Sequence, residues 1–350
     1  MMDVTDVETR RNKILEIIIE AYVSTTCPVG SELVSRRLRS GLSPATIRNI
    51  MAELEERGLL EQPHISAGRV PTERGFRFYV DMVMDARHLP PEQLRQLEAL
   101  IQPPDLGVEE LLERARMALS ELTQQAAFVI APTVKHSTVK QVEFVPLSIR
   151  KLLCVLVVNE EMIASRVVEM EEPMSRDEAA ALARFLNTEL VGLSLSSLLE
   201  SLERRMLADS DSFYHFVKRS LAILQHAFSA EPSERLFLDG ASYMVSQPEF
   251  SRDPTKAHHL LKSLDAEEAF LGRVSRDLAP NEIRVRIGHE VQVPGLEECS
   301  YVTGSFVIGD DVTGGIGVLG PMRMDYPRMR AFVEGMGRCL TNVFARWSQG

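Results

Sequence analysis

The apolar residues Ile14, Ile17, Ile18, Ala21 and Tyr22 recur at i, i+3, i+4, i+7 and i+8, drawing one stripe along a helix. Pro28 and Gly30 close that helix. Ser31 reads as the cap of a short second one, with Leu33, Val34 and Leu38 inward and Arg36, Arg37 and Arg39 outward. After a turn at Ser40-Gly41-Leu42, Ser43-Pro44 supplies an N-cap followed by proline at the first helical position. The third helix buries Ile47, Ile50, Met51 and Leu54, and Gly58 stops it. The pattern then turns extended. Leu59 to Pro63 reads as a strand, His64-Ile65-Ser66-Ala67-Gly68 as a tight loop and Arg69-Val70-Pro71 as the return. Three short helices followed by a small hairpin is the order of a winged helix-turn-helix.

Farther along, Pro90-Pro91 and Pro103-Pro104 bracket a helix from Glu92 to Ile101, and a longer helix follows from Val108 to Gln125. Segments Gln141 to Leu147, Lys151 to Val158 and Met162 to Glu169 read as a strand meander. Helical periodicity returns over 176–190, 196–207, 212–228 and 255–272, with a short apolar run at Leu236-Phe237-Leu238 between the last two. Strands resume at Ile283 to Gly288, Cys299 to Ile308 and Gly314 to Leu319, and a helix from Tyr326 to Trp347 ends the pattern. A sheet interrupted by a helical block and closed by a terminal helix predicts an α+β domain holding an insertion.

Composition changes little of this, but charge does. The 350 residues are 45% hydrophobic and 25% charged, the make-up of an ordinary globular chain of two or three domains. No apolar run approaches a membrane span, and Met1 to Asp6 is acidic where a signal peptide is basic, so a cytoplasmic protein is expected. Cys27, Cys154, Cys299 and Cys339 lie far apart, which predicts reduced thiols. The net charge of −11 looks hostile to nucleic acid until it is split. Residues 1–9 carry three acids, whereas residues 10–80 carry eleven Lys/Arg against eight Asp/Glu, a net +3. The remaining chain therefore holds −11, and a mildly basic module is joined to a strongly acidic body.

The third helix turns its apolar stripe one way and Ala45, Asn49, Ala52 and Glu53 the other, with Thr46 and Arg48 on the flanks. Small residues allow close approach to a groove floor. Arg48 suits guanine or phosphate, and Asn49 suits an adenine edge. An ordinary solvated face gives the same pattern, so this helix alone leaves both readings open. The hairpin loop adds His64, Ser66 and Arg69, types suited to phosphate or minor-groove contact. Elsewhere the chain lacks a Walker lysine loop, H-E-x-x-H and G-x-S-x-G. The glycine run from Gly314 to Gly320 is followed by Pro321-Met322-Arg323 rather than a helix, which favours a hairpin between strands over a phosphate cradle. His258-His259 has no acid or cysteine at ligand spacing and reads as a solvated helix face. No catalytic constellation, metal site or cofactor is expected, and the chain is read as a non-enzyme.

The phrases Ser43-Pro44-Ala45-Thr46-Ile47-Arg48-Asn49, Met51-Ala52-Glu53-Leu54-Glu55 and His64-Ile65-Ser66-Ala67-Gly68-Arg69-Val70-Pro71-Thr72 resemble those of HrcA, the bacterial heat-inducible transcription repressor family. Gly75-Phe76-Arg77-Phe78-Tyr79-Val80-Asp81, Cys299-Ser300-Tyr301-Val302-Thr303 and Gly315-Ile316-Gly317-Val318-Leu319-Gly320-Pro321 are similar as well, so the likeness covers nearly the whole chain. It departs at Met322, where the family often has threonine, and at Val291, where it often has asparagine. The resemblance implies a winged helix over 1–85, a linker helix over 86–106 and a GAF-like domain over 107–350. A mainly helical dimerisation segment is expected within that domain at about 195–275, where the wording is least familiar. It also implies a dimeric repressor of chaperonin and chaperone operons that binds inverted-repeat double-stranded DNA and is kept active by the chaperonin. The DNA-facing residues are then Arg36, Arg37, Ser43, Ala45, Thr46, Arg48, Asn49, His64, Ser66 and Arg69. The alternative is a regulator that senses a metabolite in its GAF-like domain.

Overall fold

A computed structural model describes residues 4–38, 42–65, 67–84, 88–101, 107–131, 139–157, 163–170, 172–190, 193, 197, 218–220, 222–224, 236–279, 282–308 and 312–347. It is a mixed helix-and-sheet protein. Two compact units can be separated, one of Met1–Val129, Leu238–Gly304 and Ile316–Gly337, the other of Ile130–Phe237, Ser305–Gly315 and Arg338–Gly350. Among the described residues no helix is long and apolar enough to cross a membrane.

The first unit opens with helices α1 (Val4–Thr25), α2 (Ser31–Leu38) and α3 (Pro44–Glu56) and the two-stranded hairpin β1 (Leu60–Glu61) and β2 (Val70–Pro71). Ile14, Leu15, Ile18, Val34 and Ile47 are fully buried, and each such side chain contributes roughly 1.5–3 kcal/mol. Ser31, read as a cap, is instead the first residue of α2 and is buried. The loop after α1 joins the hairpin as an extra edge, for Val29 and Arg69 exchange backbone hydrogen bonds of 2.8 and 2.9 Å. Thr72 then caps α4 (Glu73–Phe78) by accepting from the Gly75 amide, while its hydroxyl donates to the Gly58 carbonyl at 2.7 Å. A π-helical turn, Tyr79–Val83, follows α4.

Helices α5 (Pro91–Ile101) and α6 (Val108–Thr123) precede β3 (Ala126–Ile130), a fully buried strand that has no alternation and escapes a period-2 reading. It lies in a five-stranded sheet of order β7-β3-β10-β9-β8, with β7 at Leu236–Asp239, β8 at Arg284–Ile287, β9 at Cys299–Ile308 and β10 at Val312–Pro321. The glycine run is strand β10 itself. A Cβ at Gly317 would fall 2.4 Å from the Phe128 ring, so the missing side chain is the space that the ring fills. Phe128, Phe270 and Tyr301 meet edge to face at 5.2–6.4 Å. The helical stretch expected over 255–272 is two helices, α10 (Pro254–Asp265) and α11 (Glu267–Ser275), parted at Ala266, and two short helices that the sequence did not suggest, α8 (Ala241–Ser246) and α9 (Pro248–Ser251), precede them. Helix α12 spans Tyr326–Trp347.

In the second unit β4 (Gln141–Ser148), β5 (Lys151–Val157) and β6 (Ile163–Glu169) form an antiparallel sheet of their own. One face carries Val142, Phe144, Cys154 and Leu156, all buried, and burial pushes the Cys154 thiol up to about 12. Helix α7 (Arg176–Leu190) attaches through Asn187, which accepts from the Val142 amide at 2.7 Å and donates to its carbonyl at 2.9 Å. The helices expected over 196–207 and 212–228 lie almost wholly outside the described residues.

Candidate nucleic-acid interface

Helix α3 is positioned by its sequence at both ends. Ser43 adopts an extended backbone and its Oγ accepts from the Thr46 amide at 3.1 Å, Pro44 takes the first turn, and Gly58 leaves at a positive φ of 72°. Ile47, Met51 and Leu54 face the core. Pro44, Ala45, Thr46, Arg48 and Asn49 are all exposed, whereas Ala52 and Glu53 on the same face are half-buried.

The expected contact residues divide. Arg48 and Arg37 are exposed and enter no ion pair among those described. Arg36 is exposed and sits 3.4 Å from Glu32 one turn away, a pairing worth a few tenths of a kcal/mol. Ser43 and Thr46 hydroxyls lie 2.9 Å apart, already engaged with each other at the helix start. His64 is exposed at the hairpin tip, where its carbonyl accepts from the Ala67 amide. Ser66 lies outside the described residues. Arg69 is placed differently. Its side chain is only 17% exposed and its Nε donates to Glu55 at 2.8 Å, so it braces the hairpin to α3.

Two residues of this face go unnoticed in the sequence. The Gln62 amide donates to the Ile65 carbonyl at 2.9 Å and to the Ala67 carbonyl at 3.0 Å, tying the hairpin tip from inside. Ile65 itself is fully exposed. A glutamine before a Pro and an isoleucine in a loop carry no pattern signal. Only the folded turn gives them a place. Together α2, α3 and the hairpin enclose an open furrow of about 720 Å³ whose walls include Glu32, Arg36, Arg48, Gln62, Ile65 and Arg69.

The acids of this module are largely matched to their own cations. Glu53 accepts from Arg11, Glu55 from Arg69, and Glu8 from Arg57 and Arg11. The Arg57 hydrogen bond, followed by the charges of Arg57 and Arg11, outweighs burial and holds the Glu8 carboxyl below its usual range. What remains outward around the furrow is Arg36 and Arg48 with the single exposed carboxylate of Glu32 beside Arg36, an arrangement with net positive charge that can take up a polyanionic backbone.

The comparisons with known proteins agree across the chain. Residues 109–329 match a family described as HrcA protein C terminal domain. A relative from Moorella thermoacetica, the "Heat-inducible transcription repressor HrcA", is 33% identical over 342 residues, covering 96% of this chain and 99% of its own. One of the same name from Natranaerobius thermophilus is 36% identical over 332 residues, covering 95% of each. A solved structure described as "a hypothetical protein" shares the fold, with a TM-score of 0.57 at 23% identity over 96% of this chain and 97% of that one.

Proposed function

The chain belongs to the HrcA family of heat-inducible transcription repressors, and from that premise we propose how it represses: residues 1–85 act as a winged helix on double-stranded DNA. Helix α3 lies in the major groove with Ala45, Arg48 and Asn49 toward base edges, while Ser43, Thr46, Arg36, Arg37 and the hairpin meet the backbone beside it. The observation that carries this reading is the exposed, uncompensated face of α3 standing next to the furrow and the hairpin tip. Arg69 serves that face by fixing the hairpin, His64 stands at its tip, and Ser66 is taken as a further backbone contact of the loop.

Residues 10–80 carry a net charge of only +3, which offers few phosphate contacts, so tight binding calls for two copies on an inverted repeat. We take the protein to be a homodimer for this reason. We draw the GAF-like body over 107–350 with its mainly helical dimerisation insertion at about 195–275. The acidic body limits indiscriminate attraction to DNA. The family resemblance further supports a chaperonin that restores the active form after heat, and a cytoplasmic setting.

Binding of the purified full-length protein to the region upstream of its host's chaperonin genes, with scrambled DNA as control, tests the reading. Arg48→Ala and Asn49→Ala are expected to weaken operator binding by at least tenfold and scrambled binding far less. Equal losses on both duplexes would reduce these residues to phosphate contacts. Heat-treated protein is expected to regain more operator binding with chaperonin than without, and equal recovery rejects that part.

A further inference from the structure

The furrow and the hairpin tip raise a question that the reading of α3 leaves open, namely why an aliphatic residue stands fully in solvent at the point of a turn. Turn tips select Gly, Asn, Asp or Ser, whose backbones bend without strain and whose side chains suit water. Ile65 has neither property and is entirely exposed, so the fold gains nothing from it. Single exposed aliphatics are common on protein surfaces. This one differs in being held. Gln62 donates to the carbonyls on either side of the tip, at Ile65 and Ala67, and the Ala67 amide closes the turn on His64. A side chain that contributes nothing to the core is thus presented on a backbone whose carbonyls at Ile65 and Ala67 are both tied to Gln62.

Its surroundings indicate what that partner is. The furrow that Ile65 borders is walled by Arg36 and Arg48 on the helical side and by Gln62 and Arg69 on the hairpin side. Glu32 is the one carboxylate among its lining residues, and it stands exposed beside Arg36 in a weak pair that a phosphate can replace. In B-form DNA the major and minor grooves are separated by a single sugar-phosphate strand. A helix in the major groove and a protrusion on the far side of a cationic furrow therefore meet the two grooves with that strand between them. Isoleucine belongs to the set of apolar side chains that enter the minor groove and partly unstack a base step.

We propose that the furrow seats one sugar-phosphate strand of the operator and that Ile65 enters the adjoining minor groove as an apolar wedge, with Gln62 as its positioning residue. This rests on the DNA-binding reading above. A wedge is accommodated most easily at flexible pyrimidine–purine steps, so Ile65 selects for deformability where it makes no hydrogen bond to a base.

The test uses full-length protein and the duplex from upstream of the chaperonin genes, with 2-aminopurine placed in turn at each position the wild-type protein protects. Wild-type binding is expected to brighten the probe at one step beside each half-site. Ile65→Ala is expected to abolish that brightening and lower operator affinity about tenfold, with a smaller loss on scrambled duplex, while the thermal melt stays unchanged. Gln62→Ala is expected to give a smaller loss of both signal and affinity. An Ile65→Ala protein that binds and brightens like the wild type overturns the wedge while the repressor reading stands. Wild-type protein that does not distinguish operator from scrambled duplex overturns both.

Discussion

Asp277 shows how much a single side chain can organise. Its carboxylate is 2% exposed and accepts from Arg286 at 2.7 and 2.5 Å and from the Tyr301 hydroxyl at 2.5 Å, with Arg273 at 3.2 Å. Burial alone drives a carboxyl upward, yet the bonds from Arg286 and Tyr301 and the charges of Arg286 and Arg273 prevail and bring it down to about 2. Burial, and then the bond to Asp277, raise the Tyr301 phenol in turn. Because the folded value lies below the ordinary carboxylate value near 4, this stabilisation is complete above pH ~4. It is lost as pH falls through about 2. Replacing Asp277 by Asn leaves the buried Arg273 and the half-buried Arg286 without their counter-charge, a loss of roughly 3 kcal/mol. Urea denaturation of the two proteins at pH 7 and pH 2.5 checks this. A large gap at pH 7 that narrows in acid is expected, and equal midpoints at pH 7 contradict it. None of this was visible in the sequence, where Arg284 and Arg286 read only as alternate positions of a strand.

At the scale of elements, legibility followed the range of the interaction. The α1 stripe, the Ser43-Pro44 cap and the Gly58 stop are local signals, and α3 falls where they put it. The terminal helix and strands β4 to β6 also keep nearly the bounds that their periodicity gives. Sheet membership is not local. Nothing in the alternation of Gln141 to Ser148 says that it pairs only within its own meander, and β3, apolar at every position, shows no strand period at all. Likewise the outward positions on α3 were legible because they oppose its apolar stripe. The brace role of Arg69 depends on Glu55, fourteen residues away. The hairpin offers a sharp test of such long-range fit. A Cβ at Gly68 would sit 2.4 Å from the Val29 carbonyl, against backbone that cannot yield without opening the Val29–Arg69 bridge. Gly68→Ala is expected to destabilise residues 1–85 by about 1–3 kcal/mol and to speed hydrogen exchange at the Val29 and Arg69 amides. Gly30→Ala, where a Cβ meets nothing within 4 Å, serves as the control. Unchanged exchange in Gly68→Ala would show that the loop absorbs the methyl elsewhere.

For the molecule as a whole, the question is what holds the basic module to the acidic part of the first unit. Phe76 of α4 lies between Tyr22 and Tyr326, with centroids 6.5 and 5.9 Å away. Arg323 donates to the Val23 carbonyl at 3.0 Å while bonding Glu249 and Gln247, and Arg77 donates to the Val285 carbonyl and to Glu290. A further contact between these parts involves a histidine. Glu73 accepts from the His289 backbone amide at 3.0 Å and meets its ring nitrogen at 2.8 Å. The hydrogen bond and charge of Glu73, with a smaller contribution from Glu297, raise the His289 imidazole above its ordinary value. A raised folded value means that the stabilisation is fully present below the ordinary pKa of about 6.5 and fades as pH climbs through the higher folded one. His289 is largely exposed, so the effect is small, whereas the amide bond to Glu73 persists throughout. The thermal midpoint of wild type should therefore exceed that of His289→Ala by more at pH 6 than at pH 8.5. Glu73→Gln should remove that pH dependence from the wild-type side. A gap that is the same at both pH values would mean that the imidazolium adds nothing beyond the aromatic stack, the two arginines and the amide bond to Glu73.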